Sequence, residues 1–495
     1  MNDPETGPGT GRIFVVILTC LFGILIQRPM QYNPEDPLKE LSGPGKRVPS
    51  RGRVLMVMGS CRLQVAEHDP QPDALMEGFT SVATVTAGAG YHVEICDARK
   101  GHDPAYIMER AAAADAVMFP LYLSQLGFFR ELCSALKARF PKKPIIMGGP
   151  LPSAVPAEAL DFMRVDHAVI GEGERSVTAL LDAVLERGGP GLADIGGIAY
   201  RENGVVKINP PGKVPEPLDA LPFPDYSLWK DRDAFTTPFS VGISSVRGCG
   251  GRCGFCSRIV SGPRFKSLGR FEAELVHLKD RYGVTAVTLN DPHLKRGPEG
   301  TSELCGIFGK HDIRYFCFLR VLDVTPALAA RLKETGCYGV YVGIESYNED
   351  ILRGINKHNG SLAQMDAAIG TLSRAGLKVV CGIIFGLPGE TEATLKNTLK
   401  FIEKHKILPD VHYLTLDPGS PMYDRLSAKG GLKDPLEYLL GMETDQTDFI
   451  RKTCGLVGVD ADAVMEYLGK VWAIKEERLR NYHRSLDPGR GGSVI

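Results

Sequence analysis

Short apolar runs alternate with helix-length amphipathic stretches along most of this 495-residue chain. Val54–Met58 (Val-Leu-Met-Val-Met) is uninterrupted apolar sequence, as expected of a strand buried on both faces. Comparable runs recur at His92–Cys96, Ala116–Pro120, Pro144–Met147 and His167–Ile170. Helix-length segments such as Phe128–Phe140 and Glu174–Arg187 lie between them. This alternation predicts an α/β fold with an N-terminal doubly wound parallel sheet. Strands are expected again at Ser240–Ser245, Val284–Asn290, Tyr315–Val321, Gly339–Glu345, Lys378–Gly386 and Asp410–Leu416. Six such β/α units make a partial (β/α)6 TIM-type barrel. Beyond Leu432 the pattern is helical and ends at Ala461–Arg484, with an amphipathic stretch from Glu466 to Arg480.

The expected division is a 1–52 extension and linker, a 53–190 doubly wound domain, a 191–238 hairpin and linker, a 239–430 partial barrel and a 431–495 helical region. The last residues, Leu486–Ile495, read as a disordered tail.

Residues 13–26 form an uncharged apolar run of 14, short of the roughly 20 residues that span a bilayer. Asp3 and Glu5 outweigh Arg12 ahead of it, which is unlike a signal peptide. An extension packed on the first domain, a start at Met30 and a weak membrane association through this run are the three readings. Hydrophobic content of 43% and charged content of 24% are ordinary for a globular protein. The formal net charge of −1 implies no nucleic-acid partner.

The chain has 12 cysteines. Nine are scattered, mostly in apolar runs, and read as free thiols in a reducing, cytoplasmic setting. The other three, Cys249, Cys253 and Cys256, stand in a C-x3-C-x2-C loop rich in glycine. A structural zinc site normally has four ligands, and His293 or Cys305 would have to supply the fourth. Three thiolates can instead hold an iron–sulfur cluster with one iron left free. The first domain carries glycine-rich loops after two strands, Gly148-Gly149-Pro150 and Gly171-Glu172-Gly173-Glu174. Ligands of doubly wound sheets bind at such strand ends, where glycine admits close backbone approach.

The loop Cys249-Gly-Gly-Arg-Cys253-Gly-Phe255-Cys256 resembles the signature of the radical S-adenosylmethionine (SAM) superfamily, with an aromatic residue before the third cysteine. The order of motifs before it resembles the flavodoxin- or Rossmann-like cobalamin-binding domain of one subgroup, which includes cobalamin-dependent class B methyltransferases. The matching pieces are Met147–Ser153, Ile170–Glu174, the hairpin Ile198–Gly204 and the Pro-rich Leu221–Tyr226.

This resemblance implies a 4Fe-4S cluster on Cys249, Cys253 and Cys256, with SAM on the free iron. It implies SAM contacts from Phe255, Arg320, Glu345 of Gly-Ile-Glu-Ser, and Gly386 and Pro388 of Gly-Leu-Pro-Gly-Glu-Thr. It implies cobalamin contacts from Ser124, Gly148, Gly149, Glu172 and Gly173. Leu416–Tyr423 resembles the family's closing loop. No D-x-H-x-x-G motif is present to ligate cobalt from below. Asn290-Asp291-Pro292-His293 departs from the acidic pair of relatives, and His293 and Tyr423 read either as proton-handling groups or as structural ones.

The resemblance implies one activity above others, methylation of an unactivated carbon of a small molecule or lipid, with flavodoxin or ferredoxin as electron donor. Oxidative cyclisation or rearrangement with the same cofactors, a SAM-only radical enzyme with a degenerate first domain, and a sensor without turnover are the alternatives.

Overall fold

A computed structural model describes residues 51–60, 75–229, 241–260, 262–294 and 296–486. The apolar run at 13–26, the rest of the 1–50 segment, Cys61 and the tail after residue 486 lie outside the described residues.

The first half is a seven-stranded sheet in the order β2-β1-β3-β4-β5-β6-β7. Its strands are β1 (Arg53–Met58), β2 (His92–Asp97), β3 (Ala116–Pro120), β4 (Ile145–Gly148), β5 (His167–Val169), β6 (Ile198–Glu202) and β7 (Val205–Ile208). The first five are parallel. The sheet is covered by α1 (Glu77–Gly88), α2 (Pro104–Ala113), α3 (Leu126–Arg139), α4 (Pro150–Ala154), α5 (Pro156–Met163) and α6 (Val177–Val184). β1 and β3 are buried along almost their whole length, which explains their unbroken apolar sequence.

The sheet continues past residue 190. β6 and β7 pair antiparallel with each other, and β6 pairs antiparallel with β5. Asn203 (φ +50°) and Gly204 (φ +80°) make the two-residue turn between them, as a type I′ hairpin requires. The expected hairpin is therefore the edge of the first sheet, and a domain limit at 190 cuts the sheet.

The following segment is wedged between the halves. Tyr226 is buried and donates to the Gly242 carbonyl at 3.2 Å. The Trp229 indole donates to Thr80 Oγ1 at 3.0 Å. Arg270 lies 3.9 Å over the Phe223 ring.

The second half is a six-stranded parallel sheet. Its strands are β8 (Gly242–Ile243), β11 (Ala286–Leu289), β12 (Arg314–Leu319), β13 (Cys337–Glu345), β14 (Lys378–Phe385) and β15 (Leu408–Tyr413). A separate ribbon of β9 (Val246–Arg247) and β10 (Arg264–Phe265) follows β8. The intervening helices are α7 (Leu268–Tyr282), α8 (Gly297–Lys310), α9 (Pro326–Glu334), α10 (Glu349–Gly354), α11 (Leu362–Arg374) and α12 (Glu392–His405). Sequence sets their ends. Ser361 and Gln364 form a capping box on α11, and Gly283 (φ +65°) closes α7.

Four helices complete the chain: α13 (Pro421–Ala428), α14 (Pro435–Thr444), α15 (Gln446–Val457) and α16 (Ala461–Leu486). α16 packs on β15 and α12, and its Lys475 reaches Asp410 of β15 at 3.4 Å. Seven of the scattered cysteines are buried and form no disulfide among the described residues, as expected: Cys96, Cys133, Cys305, Cys317, Cys337, Cys381 and Cys454. Among the described residues, no helix is long and apolar enough to cross a membrane.

Candidate functional site

The carboxyl ends of both parallel sheets open onto one cavity of about 820 Å³. From the first half come Met118, Tyr122, Met147, Gly148, Gly149, Gly171, Glu172 and Gly173. From the second come Cys249, Cys256, Arg258, Asn290 and Phe318. Thus four of the five predicted cobalamin residues line it. Ser124, in the short turn Leu123–Gln125, is not among the lining residues, whereas Tyr122 is. Gly149 (φ +93°) runs so close to Leu121 that a Cβ would stand 3.2 Å from the Leu121 amide nitrogen. Ser153 joins the two glycine loops, donating to the Gly149 carbonyl at 2.7 Å and accepting from the Gly171 amide at 2.9 Å. Among the described residues, no histidine lines the cavity.

The Glu172 side chain is engaged elsewhere. It pairs with Arg264 and lies 3.4 Å from Arg247, while Glu174 accepts from Arg247 at 2.8 Å and from Ser81 at 2.8 Å. Glu172 thus lines the cavity with its carboxylate held in an ion pair.

The cysteine loop leaves the ribbon at Gly248 (φ +84°). A Cβ there would stand 2.2 Å from the Gly262 carbonyl oxygen, so only glycine fits. Backbone bonds pin the loop: Gly254 donates to Ile355 at 2.6 Å and accepts from Met422 at 2.8 Å. Gly251 donates to Cys249 Sγ at 3.3 Å. A Cβ on Gly251 would lie 3.3 Å from Cys249 Sγ and 3.9 Å from Cys253 Sγ. The two sulfurs thus flank a cleft that the glycine leaves open.

Among the described residues, no three His, Cys, Asp or Glu side chains converge on one point as ligands of a single ion. Cys305 is buried on α8 beside Tyr315 and Cys337, and His293 Nδ1 is 3.9 Å from Cys249 Sγ. A four-ligand zinc knuckle is not assembled. Two thiols beside a glycine-walled cleft, with Cys256 near enough to act on both electrostatically and an amide aimed at sulfur, fit a larger cluster.

Contact with His293 and the Gly251 amide hold the Cys249 thiol below its usual value, at about 7, against burial. Burial pushes Cys256 up to about 11 and also raises Cys253. Metal binding offsets such a cost by fixing the thiolate form.

Beside the loop, Glu345 ends β13 at φ +62°, where the register slips between Gly343 and Glu345. Its carboxylate is 2.8 Å from the Lys357 ammonium, and both are largely buried. Burial works against the Lys357 charge, but Glu345 outweighs it and holds the ammonium above its ordinary value. Lys357 also lies 6.0 Å from the Phe255 ring centroid. Arg320 donates to the His358 carbonyl at 3.1 Å and acts electrostatically on Cys249 and Cys253. Phe255, Arg320, Glu345 and the cysteines are therefore gathered together.

Gly386 (φ +86°) and Leu387 donate to Glu390 at 2.7 and 3.1 Å, folding the Gly-Leu-Pro-Gly-Glu-Thr segment, with half-buried Pro388, into a closed turn. At these strand ends Ser346 Oγ, Asn359 Oδ1, Glu390 Oε1 and Asp417 Oδ1 are buried with no hydrogen-bond partner among the described residues. Such orphaned groups fit a polar ligand there, and SAM has the donors and acceptors to meet them.

Asp291 borders the cavity, with its carboxylate bound to the backbone. It accepts from the Ser245 amide at 2.6 Å and the Val246 amide at 3.0 Å, and burial raises its carboxyl to about 6. It fixes the strand that feeds the cysteine loop. The pattern before the loop pointed to neither Lys357, Arg247 nor Arg264; only Arg247, two residues before Cys249, carried a local signal.

The chain matches the radical SAM superfamily over residues 243–402 and the B12 binding domain over residues 73–181. It is 32% identical over 268 residues to an uncharacterized methyltransferase of Pyrococcus horikoshii, covering 52% of this chain and 58% of that protein. It is 25% identical over 224 residues to the bacteriochlorophyllide d C-12(1)-methyltransferase of Chlorobaculum tepidum (43% and 48%). It is 31% identical over 108 residues to the hopanoid C-2 methylase of Rhodopseudomonas palustris (22% and 20%). In each case the chain spans less than two thirds of the relative. Among solved structures, TsrM from Kitasatospora setae, with cobalamin and a [4Fe-4S] cluster bound, superposes with a TM-score of 0.64 at 15% identity, over 88% of this chain and 99% of that one. OxsB with aqua-cobalamin gives 0.61 at 19%, over 78% and 56%. At these identities the likeness establishes the fold. The chain thus carries a match to the B12 binding domain followed by a match to the radical SAM superfamily, in the order of its two halves.

Proposed function

We propose that the protein is a methyltransferase using a 4Fe-4S cluster, SAM and cobalamin to methylate an unactivated carbon of a small apolar molecule or lipid. One observation carries this: the cysteine loop and the glycine loops of the B12-binding half face each other across a single cavity. Bound there, the cluster with SAM supplies a carbon-centred radical and the corrin supplies a methyl group.

The chain's own residues bind, orient and exclude water. Cys249, Cys253 and Cys256 would hold the cluster. Phe255, Arg320, Glu345, Gly386 and Pro388 would position SAM, and Gly148, Gly149 and Gly173 would let the corrin approach the backbone. Much of the cavity wall is apolar, including Met56, Phe79, Met118, Ile146, Met147 and Phe318, which supports an apolar substrate. The ten described cysteines form no disulfide with one another, which supports a reducing cytoplasm, where a flavodoxin or ferredoxin would deliver electrons.

Anaerobic reconstitution with iron, sulfide and hydroxocobalamin tests the reading. About four irons and one cobalamin per chain are expected, with iron lost in Cys253→Ala. Incubation with SAM and a reductant should then release 5′-deoxyadenosine and S-adenosylhomocysteine. 5′-Deoxyadenosine alone, even with substrate, would point to cyclisation, and iron without cobalamin would refute the two-cofactor enzyme.

A further inference from the structure

The cysteine loop is closed at its neck by two cations. β9 and β10 pair antiparallel with Arg247 directly opposite Arg264, and the 16 residues from Gly248 to Pro263, with all three cysteines, lie between them. Like charges directly across a ladder repel. Glu172 lies between these two, pairing with Arg264 and approaching Arg247, and Glu174 takes Arg247 from the other side. All four side chains are largely buried, with 3–16% exposure. Arg264 also donates to the Pro215 carbonyl at 2.8 Å. Gly171, Glu172 and Gly173 form part of the cavity wall. One short loop therefore lines the corrin side of the cavity and also holds the neck of the cysteine loop.

We propose that Glu172 and Glu174, with Arg247 and Arg264, form a latch that sets the separation between the iron–sulfur cluster and the corrin, and that Glu172 is a positioning residue rather than a corrin ligand. This rests on the two-cofactor reading above. Without Glu172 the facing arginines repel and the neck widens, so the cysteine loop shifts as a unit relative to the glycine loops, with its three thiols and those loops themselves intact.

The test is pulsed EPR of the full chain carrying both cofactors, reading the magnetic coupling between reduced cluster and cob(II)alamin, alongside spectrophotometric titration with hydroxocobalamin. Neither needs the substrate. Glu172→Gln is expected to keep the parent's iron content and a hydroxocobalamin Kd within about threefold, less than one lost charged hydrogen bond would cost. Its cluster-to-cobalt distance distribution should widen, and Glu172→Asp should restore most of the parent's. A Kd weakened about tenfold or more with an unchanged distribution would make Glu172 a corrin contact, and an unchanged distribution with unchanged Kd would remove the latch; either overturns the proposal. Should Glu172→Gln fail to fold, Arg264→Gln and Arg264→Lys carry the same comparison, with widening expected only in the first. A parent that takes up iron but no cobalamin defeats the two-cofactor reading itself, and that is seen before any variant is made.

Discussion

Lys357 and Glu345 show how a single pair shapes the site. Each is largely buried, and each is the other's ion-pair partner. Removing one member of such a pair leaves an uncompensated charge, at about 3–5 kcal/mol. Lys357→Met should therefore lower stability by about that amount in chemical denaturation, and Lys357→Met with Glu345→Gln should recover most of it. Equal losses in the single and double variants would show that the pair is not coupled.

Glu390 makes a pH prediction. Burial raises its carboxyl from 4.5 to about 8, against the two amide hydrogen bonds. The folded state then holds a proton that the unfolded state has released, so stability falls between pH 4.5 and about 8 and is level above. Glu390→Gln, which mimics the protonated group, should remove that decline. A parallel decline in parent and variant would contradict the assignment. The residues nearest these pairs were partly legible in sequence. Glu345 and the Gly-Leu-Pro-Gly-Glu-Thr segment lie in contiguous motifs, whereas Lys357 meets Glu345 only because the chain folds back over the strand end.

The strands were legible because both faces of a parallel sheet are covered, which forces unbroken apolar sequence. β8 is shorter than expected because Ser244 turns to Glu77 and Ser245 to Asp291. The helix read from Glu174 begins at Val177, since Glu174 is held by Ser81 and Arg247. The hairpin at Ile198–Gly204 was expected from the resemblance in motif order, but its joining the first sheet depends on pairing with a strand about 30 residues away, a contact no local signal carries.

α16 depends on tertiary contact in the same way. Lys475 is bound to Asp410, which also accepts from His412 at 3.0 Å. Lys475→Met should cost about 3 kcal/mol and raise hydrogen exchange in α16 and β15 before the rest of the barrel. Uniform exchange across the barrel would rule out α16 as the element released.

At the scale of the molecule, the two halves are joined through buried polar contacts. Glu77 of α1 accepts from Ser244 at 2.7 Å and from Lys266 at 3.3 Å, and Lys266 also reaches Glu274 at 2.8 Å. Unfolding either half alone would break the contacts of Glu77 with Ser244 and Lys266, so calorimetry should give one transition, lowered as a whole in Glu77→Ala. Two separable transitions would show that the halves are independent.

The latch extends this dependence to inheritance. Glu172 and Arg264 lie 92 residues apart in the chain, in halves that each resemble a separable module. Their side chains nevertheless have to be inherited as a set. Among relatives, a lineage that replaces the glutamate should also replace the arginine, and a chimera joining one protein's corrin half to another's barrel should work only where both parents kept the same charges.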